Sequence, residues 1–297
     1  MRARRSVAIV GTGQVGTMIG AALHRTHRYL IGLYDRDSRV ADASLRLPAG
    51  HKVLSRPEDV LGADQLVLAI PVDQVVGWLG NFGARIRPGT ALLDTGSTKS
   101  LVIEAMAEFV PIGVHAIGGH PLVGTEGKGP AAARPELLCD SVFALTPCRP
   151  DPRAVLMARA LVLACAARPV VLGAEDHDRI VARTSHLPHL LAAALAATTA
   201  ACDPDPSRIQ LLSGPGLASS GRLAGSDPRL VASFADANRE NLLHALTAFR
   251  AELDELEQAL RLGAPMLEQA LTTGQEAWRR VTGLARPPLD QLEGRQL

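Results

Sequence analysis

The sequence predicts an α/β chain, a parallel sheet with helices on both faces followed by an all-helical segment, and three observations carry that expectation. Short apolar runs alternate with amphipathic stretches through the first 172 residues. A glycine turn, GTGQVG at 11–16, separates the first apolar run from the first helical pattern. After Gly173 the strand patterns stop and spacings of three and four take over.

Each element follows from its own pattern. Residues 6–10 are a short apolar run and read as the first strand, and 14–24 turn helical with Val15, Ile19 and Leu23 on one face. Residues 29–34 form a second strand closed by Asp35; 65–70 and 90–93 are two more, each followed by a helical stretch. A strand at 141–145, a helix at 153–166 and a last strand at 169–172 complete the sheet. Residues 184–202 lack charge but carry His186, Pro188 and His189, so a buried helix explains them better than a membrane span. From Asp227 onward Leu230, Phe234, Ala237, Asn241, Ala245, Phe249, Leu253, Leu256 and Leu260 recur on one face of a single long helix, and a second helix covers roughly 265–280. Such a helix is too long for a domain of this size to cover, so its stripe is expected to pack on a second subunit, giving a homodimer. The tail from Gly283 is expected to be loose. These patterns divide the chain into domains at 1–172 and 173–297.

Composition narrows the function classes. A chain of 297 residues with 47% apolar content can bury two ordinary cores. Its formal charge of +1 leaves no footprint for nucleic acid or an anionic membrane. Cys139, Cys148, Cys165 and Cys202 form no CxxC pair, which points to reduced thiols rather than disulfides or zinc, and so to a cytoplasmic protein. The opening MRARRSVAIVGTG resembles a signal peptide only in its basic residues, because the apolar run ends at Val10.

The run Gly11, Thr12, Gly13, Gln14, Val15, Gly16 matches G-x-G-x-x-G, a weak signal alone that its context strengthens. It follows a strand, opens a helix, and precedes Asp35 at the end of the next strand, as a dinucleotide fingerprint requires. Gly11 makes the tight turn, Gly13 lets backbone N–H groups reach a pyrophosphate, and Gly16 lets helix and strand pack closely. The N-terminal part therefore reads as a Rossmann-type dinucleotide-binding domain. Asp35 would bind ribose hydroxyls and repel a 2'-phosphate, favouring NAD, while the adjacent Arg36 leaves NADP possible. In AIPVDQV, Ile70 and Pro71 stand at the carboxyl edge of the sheet, where a cofactor passes.

Further motifs follow. In DTGSTKS at 94–100, Ser97 or Thr98 can cap the next helix. GGHPLVGTE at 118–126 sets His120 between glycines and Pro121, which reads as a loop holding an imidazole in one place. Taken in order, GTGQVG, AIPVDQ, DTGSTKS, GGHPLVGTE, EDHDRIVARTSHLPH and GRLAGSDP resemble the prephenate and arogenate dehydrogenases of tyrosine biosynthesis, over about residues 6–234. The ordered set is far more specific than any one of its members.

The resemblance implies oxidative decarboxylation of a cyclohexadienol, with hydride leaving C4 for NAD, CO2 leaving C1, and the ring becoming aromatic. His120 matches the histidine that accepts the 4-hydroxyl hydrogen bond. Ser97 matches the serine between nicotinamide and substrate. Thr125 and His189 match substrate contacts, and Arg222 matches the arginine that binds a substrate carboxylate. His177 matches a position near the site, although a surface helix start explains it equally well. His186 reads as a structural residue, and Pro188 is expected to kink its helix. No metal is expected, since no HExxH or third ligand accompanies these histidines.

The substrate reads as prephenate, with arogenate or 4-amino-4-deoxyprephenate as alternatives. Ala218 and Ser219 stand where some relatives carry charge, which leaves preference open. Hydroxyacid dehydrogenases share the architecture but use a lysine from the helical part, and no lysine follows Lys128. A non-catalytic NAD sensor would need the glycine fingerprint but not Ser97, His120, His189 and Arg222 together.

Overall fold

A computed structural model describes residues 4–124 and 127–282. Eight strands, β1 (Arg5–Val10), β2 (Tyr29–Tyr34), β3 (Lys52–Val53), β4 (Gln65–Leu68), β5 (Ala91–Asp94), β6 (His115–Pro121), β7 (Val142–Pro147) and β8 (Arg168–Val171), form one sheet in the order β3-β2-β1-β4-β5-β6-β7-β8. Helices α1 (Gln14–Arg25), α2 (Ser38–Arg46), α3 (Val72–Phe82), α4 (Ser100–Phe109) and α5 (Pro152–Ala164) connect them. Alternate side chains of β1 enter different cores. Val7 and Ile9 join Met18, Ile19 and Leu23 on one face, while Ala8 and Val10 join Trp78, Leu79 and Met106 on the other. Burial on both faces is why the strands read as continuous apolar runs rather than alternating ones. The sheet is not wholly parallel: β6 and β7 run antiparallel, His120 opposite Ala144.

Sequence order reverses direction between β1 and β4, the switch point where an open α/β sheet leaves a crevice. Gly11, at φ +86°, turns the chain there, and a Cβ on it would sit 2.4 Å from the Ala69 carbonyl oxygen. A Cβ at Gly16 would lie 1.9 Å from the Gly11 carbonyl oxygen. Both contacts demand glycine, so the fingerprint is explained by packing at its first and third positions.

Beyond the sheet come α6 (Ala174–Val181), a π turn at Ala182–His186, and α7 (Leu187–Ala200), then α8 (Pro206–Leu212), α9 (Pro215–Gly221), α10 (Pro228–Ala237), α11 (Arg239–Leu262) and α12 (Ala264–Thr282). Asp-Pro pairs start α5, α8 and α10. In each, the Asp side chain accepts the N–H of the residue after proline, and proline supplies a helical φ without needing a donor.

Four expectations are corrected here. The single long helix from Asp227 is two helices broken at Asn238, whose buried amide donates to the Asp178 carbonyl oxygen at 2.7 Å. Residues 118–121 are strand, not loop. The charge-free helix α7 is only partly buried, with Leu187 and Ala192 inside and Leu195 exposed. Pro188 lies in the first turn of α7, just after the π turn, so the irregularity precedes it. On α11 and α12, Leu253, Leu260, Met266, Leu271 and Trp278 are exposed in the single chain.

Candidate active site at the strand ends

The N-terminus of α1 fits a dinucleotide pyrophosphate. Its cap residue Gly13 makes no side-chain cap bond, the first turn holds no acidic residue, and a Cβ at Gly13 would meet no protein atom within 4 Å. Packing therefore leaves room at Gly13, at the helix N-terminus, where an anion is stabilised by the helix end. Asp35 stands at the neighbouring strand end. Its Oδ2 accepts from Thr12 N at 2.8 Å, and its Oδ1 from Asp37 N at 3.1 Å. A carboxylate keeps further lone pairs for ribose hydroxyls. Arg36 is exposed beside it, Ile70 is half-buried against Gly11, and Pro71 is the exposed cap residue of α3.

At the ends of β5 and β6 lies a buried ion pair that the sequence did not reveal. Lys99 and Asp94 are both 0% exposed, with Lys99 Nζ 2.5 Å from Asp94 Oδ2 and 2.6 Å from the Gly119 carbonyl oxygen. Asp94 also accepts from Gly96 N at 2.7 Å and Gly119 N at 2.8 Å. Burial pulls the Lys99 ammonium below its ordinary pKa, against the pull of Asp94 and Asp178. Gly119 is required by this packing, since a Cβ on it would lie 2.5 Å from the Asp94 carbonyl oxygen, and a Cβ on Gly118 would crowd the Lys99 Cδ at 3.1 Å. The only signal in the sequence was a lysine inside DTGSTKS in a chain with two others.

His120 is 9% exposed, and its Nδ1 lies 2.9 Å from His177 Nε2. Burial first, then the neighbouring His177, Lys99 and His186, hold its pKa well below 6.5. The imidazole is therefore neutral across the ordinary cytosolic range. His177 is buried, not a surface helix start, and its Nδ1 lies 2.8 Å from Asp178 Oδ1. Burial raises the Asp178 carboxyl, but hydrogen bonds from His177, Ser100 and Lys99 outweigh it and bring the carboxyl below its usual value. His186 is also buried: it stacks on Phe234 with centroids 4.5 Å apart, and its Nδ1 lies 3.2 Å from the Asn238 amide. Desolvation lowers its pKa to about 4.

The remaining expected residues lie on other parts of the chain. Ser97 is half-buried between β5 and α4. His189 is half-buried on α7, donates from Nδ1 to the Ser185 carbonyl oxygen at 2.9 Å, and meets Phe234 edge-on. Arg222 is exposed at the start of a 3-10 turn, Arg222–Gly225, that packs against α7. Thr125 lies outside the described residues. Just after it in the chain, Gln14 Nε2 donates to the Gly127 carbonyl oxygen at 3.2 Å, and Lys128 pairs with Asp227 at 3.0 Å. Among the described residues no cluster of His, Cys, Asp and Glu is arranged to hold a metal ion, and all four cysteines are free.

The arrangement can present a neutral imidazole at the edge of the sheet that also carries the nucleotide crevice. Comparisons with known proteins show the family. Residues 19–171 match the family model for the prephenate dehydrogenase nucleotide-binding domain, and 173–271 that for the prephenate dehydrogenase dimerization domain. A cyclohexadienyl dehydrogenase from Zymomonas mobilis is 30% identical over 264 residues, 86% of this chain and 88% of the relative. A 4-amino-4-deoxyprephenate dehydrogenase from Streptomyces pristinaespiralis is 30% identical over 194 residues, 62% of this chain and 60% of the relative. The crystal structure of an A. aeolicus prephenate dehydrogenase with hydroxyphenyl propionate and NAD+ superposes with a TM-score of 0.85 at 22% identity, covering 95% of this chain and 99% of the other.

Proposed function

The chain belongs to the prephenate dehydrogenase family, and from that premise we propose that it converts prephenate and NAD to 4-hydroxyphenylpyruvate, CO2 and NADH, with His120 taking the 4-hydroxyl proton. The observation that carries this reading is an imidazole kept neutral by burial near the carboxyl end of β6, the same edge of the sheet as the nucleotide crevice. Bound NAD supplies the acceptor for the hydride from C4. Loss of CO2 from C1 then completes an aromatic ring, which drives the reaction. What the protein must add is alignment and a proton acceptor for the hydroxyl that becomes a carbonyl and then a phenol.

In this reading Ser97 orients the hydroxyl toward His120, while Thr125 and His189 contact the ring substituents. Arg222 takes a carboxylate through its paired N–H groups, the natural partner for a dianion. Gly11 to Gly16, Asp35, Arg36, Ile70 and Pro71 hold NAD. The domain division falls at 172/173. The apolar residues exposed on α11 and α12 cover one another across a homodimer, consistent with the dimerization-domain match. No helix among the described residues is long and apolar enough to cross a membrane. The four unpaired cysteines support a cytoplasmic enzyme.

Arogenate and 4-amino-4-deoxyprephenate are the competing substrates, the latter favoured by the relative from S. pristinaespiralis; a 4-amino group would meet the same imidazole. Absorbance of NADH with NAD or NADP and each of the three compounds decides among them. The highest kcat/KM is expected with prephenate and NAD. A higher value with either other compound reassigns the substrate, and no turnover with any of them would leave a nucleotide-binding sensor.

A further inference from the structure

His177 and Asp178 have no part in the chemistry above, yet they are 2% and 1% exposed at the start of a helix, a place normally open to water. Asp178 is an acceptor for three donors. Its Oδ1 takes the Lys99 backbone N–H at 2.7 Å and its Oδ2 the Ser100 N–H at 2.8 Å, so one carboxylate caps α4 from α6. These bonds favour the ionised carboxylate, which has no hydrogen to give. The contact of 2.8 Å between Asp178 Oδ1 and His177 Nδ1 therefore needs the proton on His177 Nδ1. In a neutral ring the other nitrogen is then a lone pair. His177 Nε2 accepts, His120 Nδ1 at 2.9 Å donates, and His120 Nε2 is left without a proton. Bond counting along the chain thus leaves His120 one tautomer. A His177 imidazolium would reverse the last bond and place the proton on His120 Nε2, where it blocks the base. Besides His177, the charged or titratable groups acting on His120 are Lys99, whose Nζ pairs with Asp94, and His186.

We propose that Asp178 and His177 are a positioning pair that holds His120 in the Nδ1–H tautomer, so that Nε2 faces the reaction as a bare base. The proposal rests on the reading of His120 as proton acceptor. During turnover the 4-hydroxyl proton passes to His120 Nε2 while the hydride leaves for NAD, and the resulting imidazolium keeps its Nδ1 bond to His177. The anchoring carboxylate belongs to a helix outside the sheet, which ties the base to the packing of α6 on α4.

The test is 15N NMR of histidine-labelled enzyme with NAD bound, the His120 signals assigned by their loss in His120→Asn. The expected spectrum has a protonated Nδ1 and an unprotonated Nε2 at His120. His177→Phe should mix the tautomers and lower kcat roughly 10- to 100-fold, short of the 10²–10⁴ for losing an acid or base altogether, with KM unchanged. His177→Gln, whose carbonyl oxygen can still accept from Nδ1, should recover most of the loss. An Nε2–H tautomer in the unmutated enzyme overturns the proposal even if no variant folds, and so does unchanged kcat in His177→Phe. If His120→Asn is itself fully active, the reading of His120 fails instead, and the two failures are told apart.

Discussion

Asp94 at the end of β5 and Asp178 in α6 are both fully buried, and both bear on His120, the first through the backbone of the preceding Gly119 and the second through the ring of His177. Asp94 belongs to the sheet. It binds Lys99 Nζ and the N–H of Gly119, and so fixes where the strand that carries His120 runs. Asp178 belongs to the helical segment, caps α4 and touches His177. The sheet side determines position and the helical side determines protonation. A buried charge is worth keeping only when it is fully partnered, and each carboxylate meets that condition by a different means.

The comparison breaks most readily at Asp94. Asp94→Ala leaves Lys99 buried without its counter-charge, and a loss of about 3–5 kcal/mol in unfolding free energy is expected from denaturant titration; a loss near zero would mean that the ion pair does not hold the sheet end. A somewhat smaller effect belongs to the helical side. The pKa of His186, held at about 4 in the folded chain against about 6.5 when unfolded, makes the folded state bind fewer protons between those values. Its contribution is therefore fully present above pH 6.5 and is lost as pH falls toward 4, a decline of up to about 3 kcal/mol. Urea midpoints measured across that window should fall, and fall less in His186→Gln; equal slopes would remove His186 from the account. Smaller still is Arg222→Ala on the exposed turn, expected to raise the KM for substrate roughly 10- to 100-fold, the worth of one charged hydrogen bond, with little change in kcat. An unchanged KM would take Arg222 out of the site.

How much of this was legible depended on whether the cause was local. The strands at 29–34 and 168–171 and the turn at Gly11 follow from apolar runs and a glycine spacing, and the sequence pattern placed them within a residue or two. The strand at His115–Pro121 was hidden because its glycines depress β propensity. They are there for a tertiary reason, the close approach of Asp94 and Lys99, which no local pattern reports. The break at Asn238 was missed because the apolar spacing runs straight across it, while its cause is a bond from the Asn238 amide to Asp178. EDHD reads as a wet helix start by composition. Only the capping of α4 by Asp178 explains why His177 is inside.

The central claim is that a neutral, held imidazole at position 120 accepts the substrate proton, and the measurement that meets it most directly is the turnover of His120→Asn with saturating NAD. The account predicts a fall in kcat of roughly two to four orders of magnitude, with the fold and NAD affinity retained. Turnover within a few-fold of the unmutated enzyme would contradict it.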